Sequence, residues 1–326
     1  MPDTIDQPPQ AIQDELGVLR TSLDKEIPPK TLDRNLLIAT WNLRAFGGLT
    51  EKWQSSEDDS PRRDLQSPLC IAEIISRFDV IALQEVRDDL KSLRHMLKVL
   101  GPNWGFTMTD VTAGKRGNDE RLAFLFDTRR AMLSGLACEL VVPEEKLGPI
   151  APDALTKQFA RTPYAVSFRS AGKTFILLTL HVFYGTQAEE RVAELKAIAQ
   201  WLAGWAAEIN TWGHNLIVLG DFNIDRRDDM LYQAFTSTGL FSPQDLNKVP
   251  RTIFSDPNKP DLDKFYDQIA WFTGKNNLPA LSLQYSRGGS FDFTQVAIKS
   301  RNLTKQQLSW HISDHYPLWV EFKVRD

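Results

Sequence analysis

Short apolar runs that stop abruptly on a polar residue set the rhythm of this chain. Leu36–Ala39 leads to Asn42, Val80–Leu83 to Glu85, Phe175–Leu180 to His181, and Asn215–Leu219 to Asp221 and Asn223. Runs this short, without polar alternation, predict β-strands buried on both faces. Further strands are predicted near Gly105–Thr109, Leu122–Asp127, Leu133–Val142, Tyr266–Trp271, Leu281–Tyr285 and Leu318–Val324. Tyr164–Arg169 and Thr174–His181 read as a hairpin across a turn of small residues at Ser170–Lys173.

Between the strands lie helical patterns at Pro68–Arg77, Leu90–Leu100 and Asp229–Thr238. The clearest is Gln187–Trp212, where Ala188, Val192, Leu195, Ala199, Leu202 and Ala206 recur at the three-to-four spacing of an amphipathic helix. Residues 1–34 carry Pro8, Pro9, Pro28 and Pro29 and little periodicity beyond Ile12–Leu19, so they read as a disordered or weakly helical tail with at most one short helix. Residues 35–326 then form a single domain. Strands and helices alternate without a regular doubly wound repeat. The expected fold is α/β, a four-layer sandwich of two packed mixed β-sheets flanked by helices.

Composition narrows the class. With 326 residues, 42% apolar and 25% charged, the chain can bury a large core, and no apolar run approaches a bilayer's thickness. Met1–Gln13 is acidic and lacks a secretory pattern, which points to a cytoplasmic protein, read as a monomer. Cys70 and Cys138 sit in apolar surroundings and are expected as isolated buried thiols rather than a disulfide or a zinc pair. A net charge of −4 offers nucleic acid no global attraction. Screening confines the relevant field to about 10 Å, so a local basic groove remains compatible with that charge.

The polar stations carry the chemistry. Asp221 and Asn223, two residues apart after a strand, can face one crevice, although Asp-Phe-Asn also reads as a turn bonding its own backbone. Asp314-His315 combines a hard metal contact with a proton-transfer group, against the plainer reading of a histidine satisfied within a turn. Glu85 closes an apolar strand and needs a partner there: a metal ion, or a salt bridge to Arg44 or Arg87. His181 alone reads as a core histidine. Glu120 and Asp267 are two acids that can each orient one imidazole. Hard oxygens for a divalent ion, neutral donors for phosphate oxygens and imidazoles for protons amount to a site for phosphoester hydrolysis. Trp201, Trp205 and Trp212 read as packing groups.

Nine segments in one order resemble the endonuclease/exonuclease/phosphatase superfamily, closest to its deoxyribonuclease I branch. They are Ala39–Gly47, Asp79–Asp88, Glu120-Arg121, Arg161–Pro163, Leu180-His181, Gly220–Asn223, Tyr266-Asp267, Phe291–Phe293 and Ile312–Pro317. The resemblance implies a divalent-metal-dependent phosphodiester hydrolase, an endonuclease cleaving DNA by water attack at phosphorus. It places the metal at Glu85 with Asn42 and Asp314 close by, and the scissile phosphate or a second ion at Asp221 and Asn223. It makes His315, oriented by Asp267, the base, and His181, oriented by Glu120, the acid. It assigns Arg44, Arg87 and Arg161 to grip DNA phosphates or enter the minor groove. Mg2+ is the implied cofactor, with Mn2+ as the alternative and Ca2+ as a structural ion. The minor-groove tyrosine of the digestive enzyme is replaced near Asn118, and the family's disulfides are absent. A lipid headgroup or small nucleotide is the competing substrate class, and a non-catalytic adaptor the third reading.

Overall fold

The computed structural model describes residues 7–112, 118–140, 161–185, 188–209, 215–274, 278 and 280–324. Twelve strands in these residues build two six-stranded sheets. The first holds β1 (Asn35–Phe46), β2 (Val80–Arg87), β3 (Trp104–Met108), β4 (Glu120–Asp127), β11 (Gln284–Ser290) and β12 (Leu318–Lys323). Its order is β11-β12-β1-β2-β4-β3, with β1 and β2 parallel and the other pairs antiparallel. The second holds β5 (Met132–Glu139), β6 (Tyr164–Ser170), β7 (Lys173–His181), β8 (Asn215–Asp221), β9 (Leu240-Phe241) and β10 (Asp267–Phe272). It runs β5-β6-β7-β8-β10-β9, parallel only between β7 and β8.

The two sheets pack face to face because alternate residues of each strand serve different layers. Leu36 and Ile38 of β1 join Val80, Phe124, Phe168, Leu177 and Ile217 in the cluster between the sheets. Leu37, Ala39, Trp41 and Leu43 point outward against α2 (Gln66–Ile75) and α3 (Lys91–Leu100). On the far side α4 (Ala188–Ile209) and α5 (Met230–Thr236) cover the second sheet through Leu195, Leu202, Leu231 and Phe235. This is the four-layer sandwich expected of the sequence.

Two expectations are corrected. The region read as a loose tail contains α1 (Gln10–Glu26), a 17-residue helix whose Ile12, Leu16, Leu19 and Leu23 are buried in the same cluster as α2. Arg20 reaches Glu73 at 2.8 Å and Arg77 pairs with Asp24, so the helix is docked by charge as well as by its apolar stripe. Cys138 is only partly buried; both thiols are free, and burial raises each thiol's pKa. A helix that the apolar pattern alone does not announce, α6 (Lys305–His311), precedes the Asp314-His315 turn and starts on a capping box between Thr304 and Gln307. Val142, Gln187 and Trp212, at the ends of expected elements, lie outside the described residues. No helix among the described residues is long and apolar enough to cross a membrane.

Candidate active site

Register places the stations in rows. His181 stands opposite Asp221 across the β7–β8 pair, and Asp221 opposite Asp267 across β8–β10, so three ends of the second sheet present three chemical groups side by side. Gly220 makes that row fit. Its φ is +145°, and a Cβ there would sit 2.1 Å from the Leu180 carbonyl oxygen. From the first sheet, Asn42 and Glu85 leave β1 and β2 at irregularities in the pairing, and Glu85 adopts φ +61°, which turns its side chain off the strand course.

Asn42 joins the sheets. Its Nδ2 donates to Glu85 Oε1 and to Asp221 Oδ2, both at 3.0 Å. Its Oδ1 accepts from the Arg44 amide, while Glu85 Oε2 accepts from the Ala45 amide at 2.7 Å. Beneath them Gln84 donates to Thr40 and Thr179, a second polar tie between the sheets.

Two imidazoles face Asp221, each backed by an acid. His315 Nδ1 lies 2.7 Å from Asp267 Oδ2, and His181 Nδ1 lies 3.0 Å from Glu120 Oε2. Their Nε2 atoms are 3.9 and 3.6 Å from Asp221 Oδ2. Burial pushes Asp267 up to about 6, partly opposed by His315. Burial alone would lower the His315 pKa, but Asp267, Asp221 and Asp314 outweigh it and hold the pKa well above the ordinary value. At neutral pH the two form an ion pair. Glu85 is kept below the usual carboxylate range despite burial, through His181, the Ala45 amide and Asn42.

Asp221 makes the turn weighed for it: its Oδ1 accepts from the Asn223 amide at 2.9 Å, while its Oδ2 accepts from Asn42 and faces the two imidazoles. Asn223 is tied to the Val182 carbonyl through Nδ2. The arginines differ from one another. Arg44 and Arg87 stand on the rim, Arg44 pairing with Asp314 at 3.2 Å and Arg87 lying 3.5 Å from Glu120 and 3.9 Å from Glu85. Arg161 is 8% exposed, and its Nε is 2.8 Å from Glu120, behind the His181 pair rather than on the rim. The salt-bridge reading of Glu85 therefore has only a long contact, to Arg87.

Five carboxylates thus face three guanidiniums and one imidazolium, and two of the carboxylates converge on a single neutral amide. Such a donor set, all hard oxygens with imidazoles at the edge, fits a divalent cation. Ligating atoms of Glu85, Glu120 and His181 lie within 4.8 Å of one another, as do those of Asp221, Asp267 and His315. Asp314, expected close to Glu85, belongs to neither group and is held by Arg44 instead.

Residues that sequence reasoning missed complete the wall. Tyr266 stacks on the His315 ring at 5.6 Å, and Trp310 carries the Arg44 guanidinium 3.9 Å above its ring. Trp41 Nε1 and Ser313 Oγ bond the His315 and Asn42 carbonyls. Tyr266 was legible as the residue before Asp267. Trp310 required α6 to be seen.

Residues 39–285 match the model of the Endonuclease/Exonuclease/phosphatase family. A deoxyribonuclease of Thioalkalivibrio sp. (strain K90mix) is 27% identical over 62% of this chain, which spans half of that relative's length. Deoxyribonuclease gamma of Rattus norvegicus is 27% identical over 89% of this chain and 85% of its own. A solved endonuclease/exonuclease/phosphatase family protein from Bacteroides thetaiotaomicron superposes with a TM-score of 0.59, at 18% identity over 89% of this chain and 98% of its own. The chain belongs to the endonuclease/exonuclease/phosphatase family. It is a hydrolase of phosphoester bonds, with relatives among the deoxyribonucleases.

Proposed function

We propose that this protein is a divalent-metal-dependent endonuclease that hydrolyses the phosphodiester bonds of DNA. The observation that carries the reading is the pair of acid-backed imidazoles turned toward one carboxylate oxygen, Asp221 Oδ2, from either side. A phosphoryl group bound beside Asp221 would have one imidazole near the attacking oxygen and the other near the leaving oxygen.

Glu85 would hold the ion, with Asn42 and Asp221 beside it and Asp314 at the rim. The chemistry a bound Mg2+ or Mn2+ supplies is charge, polarising the phosphoryl oxygen and offsetting the carboxylates that keep His315 protonated. Asp267 fixes the His315 ring so that Nε2 faces the pocket, and His315 then takes the proton of the attacking water. Glu120 fixes His181, which donates a proton to the leaving O3′ as the P–O3′ bond breaks. The products are a 5′-phosphate and a 3′-hydroxyl. Asn223 and Asp221 line the phosphate position. Arg44 and Arg87, the two partly exposed guanidiniums, lie where the flanking phosphates would pass, a local basic rim on an acidic protein.

Supercoiled plasmid incubated with metal-stripped protein and graded Mg2+ or Mn2+ tests this. Nicking that requires the ion and yields 3′-hydroxyl ends is the expected result. Intact plasmid, beside hydrolysis of an inositol phosphate or a small nucleotide in parallel reactions, would discard the DNA reading for the competing substrate class.

A further inference from the structure

Arg63 is an arginine in a polar loop that the catalytic residues do not touch, yet it is 3% exposed. Its guanidinium makes five hydrogen bonds, all to backbone carbonyls. Nη1 donates to Ala45 at 2.9 Å, and Nη2 to Leu43 at 2.9 Å, Arg44 at 3.0 Å and Ile312 at 3.1 Å, while Nε donates to His311 at 3.2 Å. Three of these acceptors lie just past Asn42, and two lie just before Asp314-His315.

Both segments need holding. Arg44 and Ala45 occupy left-handed backbone, at φ +37° and +49°, a conformation that non-glycine residues keep only where their surroundings impose it. In that conformation the Ala45 amide reaches Glu85 Oε2 and the Arg44 amide reaches Asn42 Oδ1. The other segment carries Ser309, which accepts from Arg44, and leads to Ser313, which donates to the Asn42 carbonyl. A planar guanidinium presents its donors as a fan over two adjacent carbonyl rows; an ammonium has three donors and cannot span them. Burial draws Arg63 down to about 10, which leaves it charged at neutral pH.

We infer that Arg63 is a positioning residue: it locks the Leu43–Ala45 bulge of β1 to the His311-Ile312 end of α6 and so sets Glu85 and Asn42 against Asp314 and His315 for the reaction. This rests on the proposed metal-dependent hydrolysis. It predicts that loosening the lock displaces the site's two halves by fractions of an ångström while the sandwich, whose core lies elsewhere, stays folded.

The experiment compares Arg63→Lys with wild type and with Arg301→Lys, which weakens the neighbouring ion pair to Asp64 and meets the second segment only at the His311 ring, 3.5 Å away, leaving every carbonyl that Arg63 holds untouched. Steady-state kinetics on plasmid DNA with Mg2+ and Mn2+ titrations followed by water relaxation are measured alongside circular dichroism and Tm. For Arg63→Lys we expect kcat to fall on the order of 10²-fold, KM to stay within about threefold and the Mn2+ dissociation constant to rise roughly tenfold. Arg301→Lys should lower Tm and leave kcat near wild type. Wild-type kcat in a folded Arg63→Lys would overturn the inference, and so would an equal kcat loss in Arg301→Lys, since activity would then follow stability. If Arg63→Lys does not fold, Arg63→Gln replaces it. Failure of both to fold makes Arg63 a folding residue and also overturns the inference. Wild-type protein that leaves DNA intact instead refutes the proposed function.

Discussion

Asn42 reaches from the first sheet to Asp221 of the second, its amide nitrogen 3.0 Å from the carboxylate Oδ2 while it also donates to Glu85. One neutral donor therefore separates two carboxylates at the seam of the sandwich. Asn42→Ala should lower kcat on plasmid DNA by about 10²-fold, by releasing both side chains from a shared geometry. Asn42→Asp should be at least as damaging, because it places a third negative charge between them. Kinetics on folded variants check this; an Asn42→Asp enzyme as active as wild type would remove Asn42 from the site.

The two histidines are predicted to fail differently from a structural pair. Replacing a general acid or base typically costs about 10²–10⁴-fold. His181→Ala and His315→Ala should each lose activity in that range, and the double variant should lose far less than the product of the two, since the groups act on one reaction coordinate. Nicking assays with a circular dichroism control read the outcome. Near-normal nicking by either single variant would dissolve the acid/base assignment.

The Asp267–His315 pair predicts an acid limb. Asp267 is raised to about 6 by burial, so lowering pH through that value protonates it and removes the charge that orients His315. Activity should therefore fall as pH drops below about 6, well above the range of an ordinary aspartate. Asp267→Asn should abolish that limb and lower kcat across the whole range. A pH–rate profile for the two proteins decides the matter, and an unchanged acid limb in Asp267→Asn would refer it to another group.

Much of this site was legible because its chemistry interrupts apolar strands. Glu85, His181 and Asp221 each close a run that has no other reason to end on a charge, and the β7–β8–β10 register brings His181, Asp221 and Asp267 into line as a sheet must. What escaped reading depended on tertiary partners. Arg63 and Arg251 stand in segments whose prolines and charges describe solvated loops, yet both are buried with their guanidiniums spent on carbonyls. Arg161, matched by resemblance to a phosphate-gripping position, has its Nε 2.8 Å from Glu120, a partner that no sequence spacing announces. The apolar stripe of α1 was short in sequence, and only the groove against α2 shows that it is paid for by burial.

His311 predicts acid sensitivity of the fold rather than of the reaction. Burial lowers it to about 4, with Arg301, Arg63 and Arg62 adding to the effect and Asp64 opposing it. Unfolded histidine titrates near 6.5, so the folded state resists a proton that the unfolded chain accepts. This contribution to stability is complete above pH 6.5 and is lost as pH falls toward 4, amounting to roughly 3 kcal/mol for this buried ring. Urea unfolding at pH 7 and pH 4.5 should show the loss, and His311→Gln should shrink it. An undiminished pH dependence in that variant would exclude His311 as its source.

The docked N-terminal helix yields the last prediction. Leu19 and Leu23 are fully buried between α1 and the first sheet's outer layer, and truncating a buried leucine costs about 2–5 kcal/mol where the site cannot collapse. The catalytic groups lie at strand ends of the sandwich, and none makes a hydrogen bond or ion pair with α1 among the described residues. Leu19→Ala should therefore lower the urea midpoint and Tm substantially while kcat at 25 °C stays within about twofold of wild type. The charge pairs Arg20–Glu73 and Arg77–Asp24 are partly exposed, so Arg20→Ala should cost under about 1 kcal/mol. A Leu19→Ala protein as stable as wild type would show that α1 detaches in solution and that the domain is complete without it.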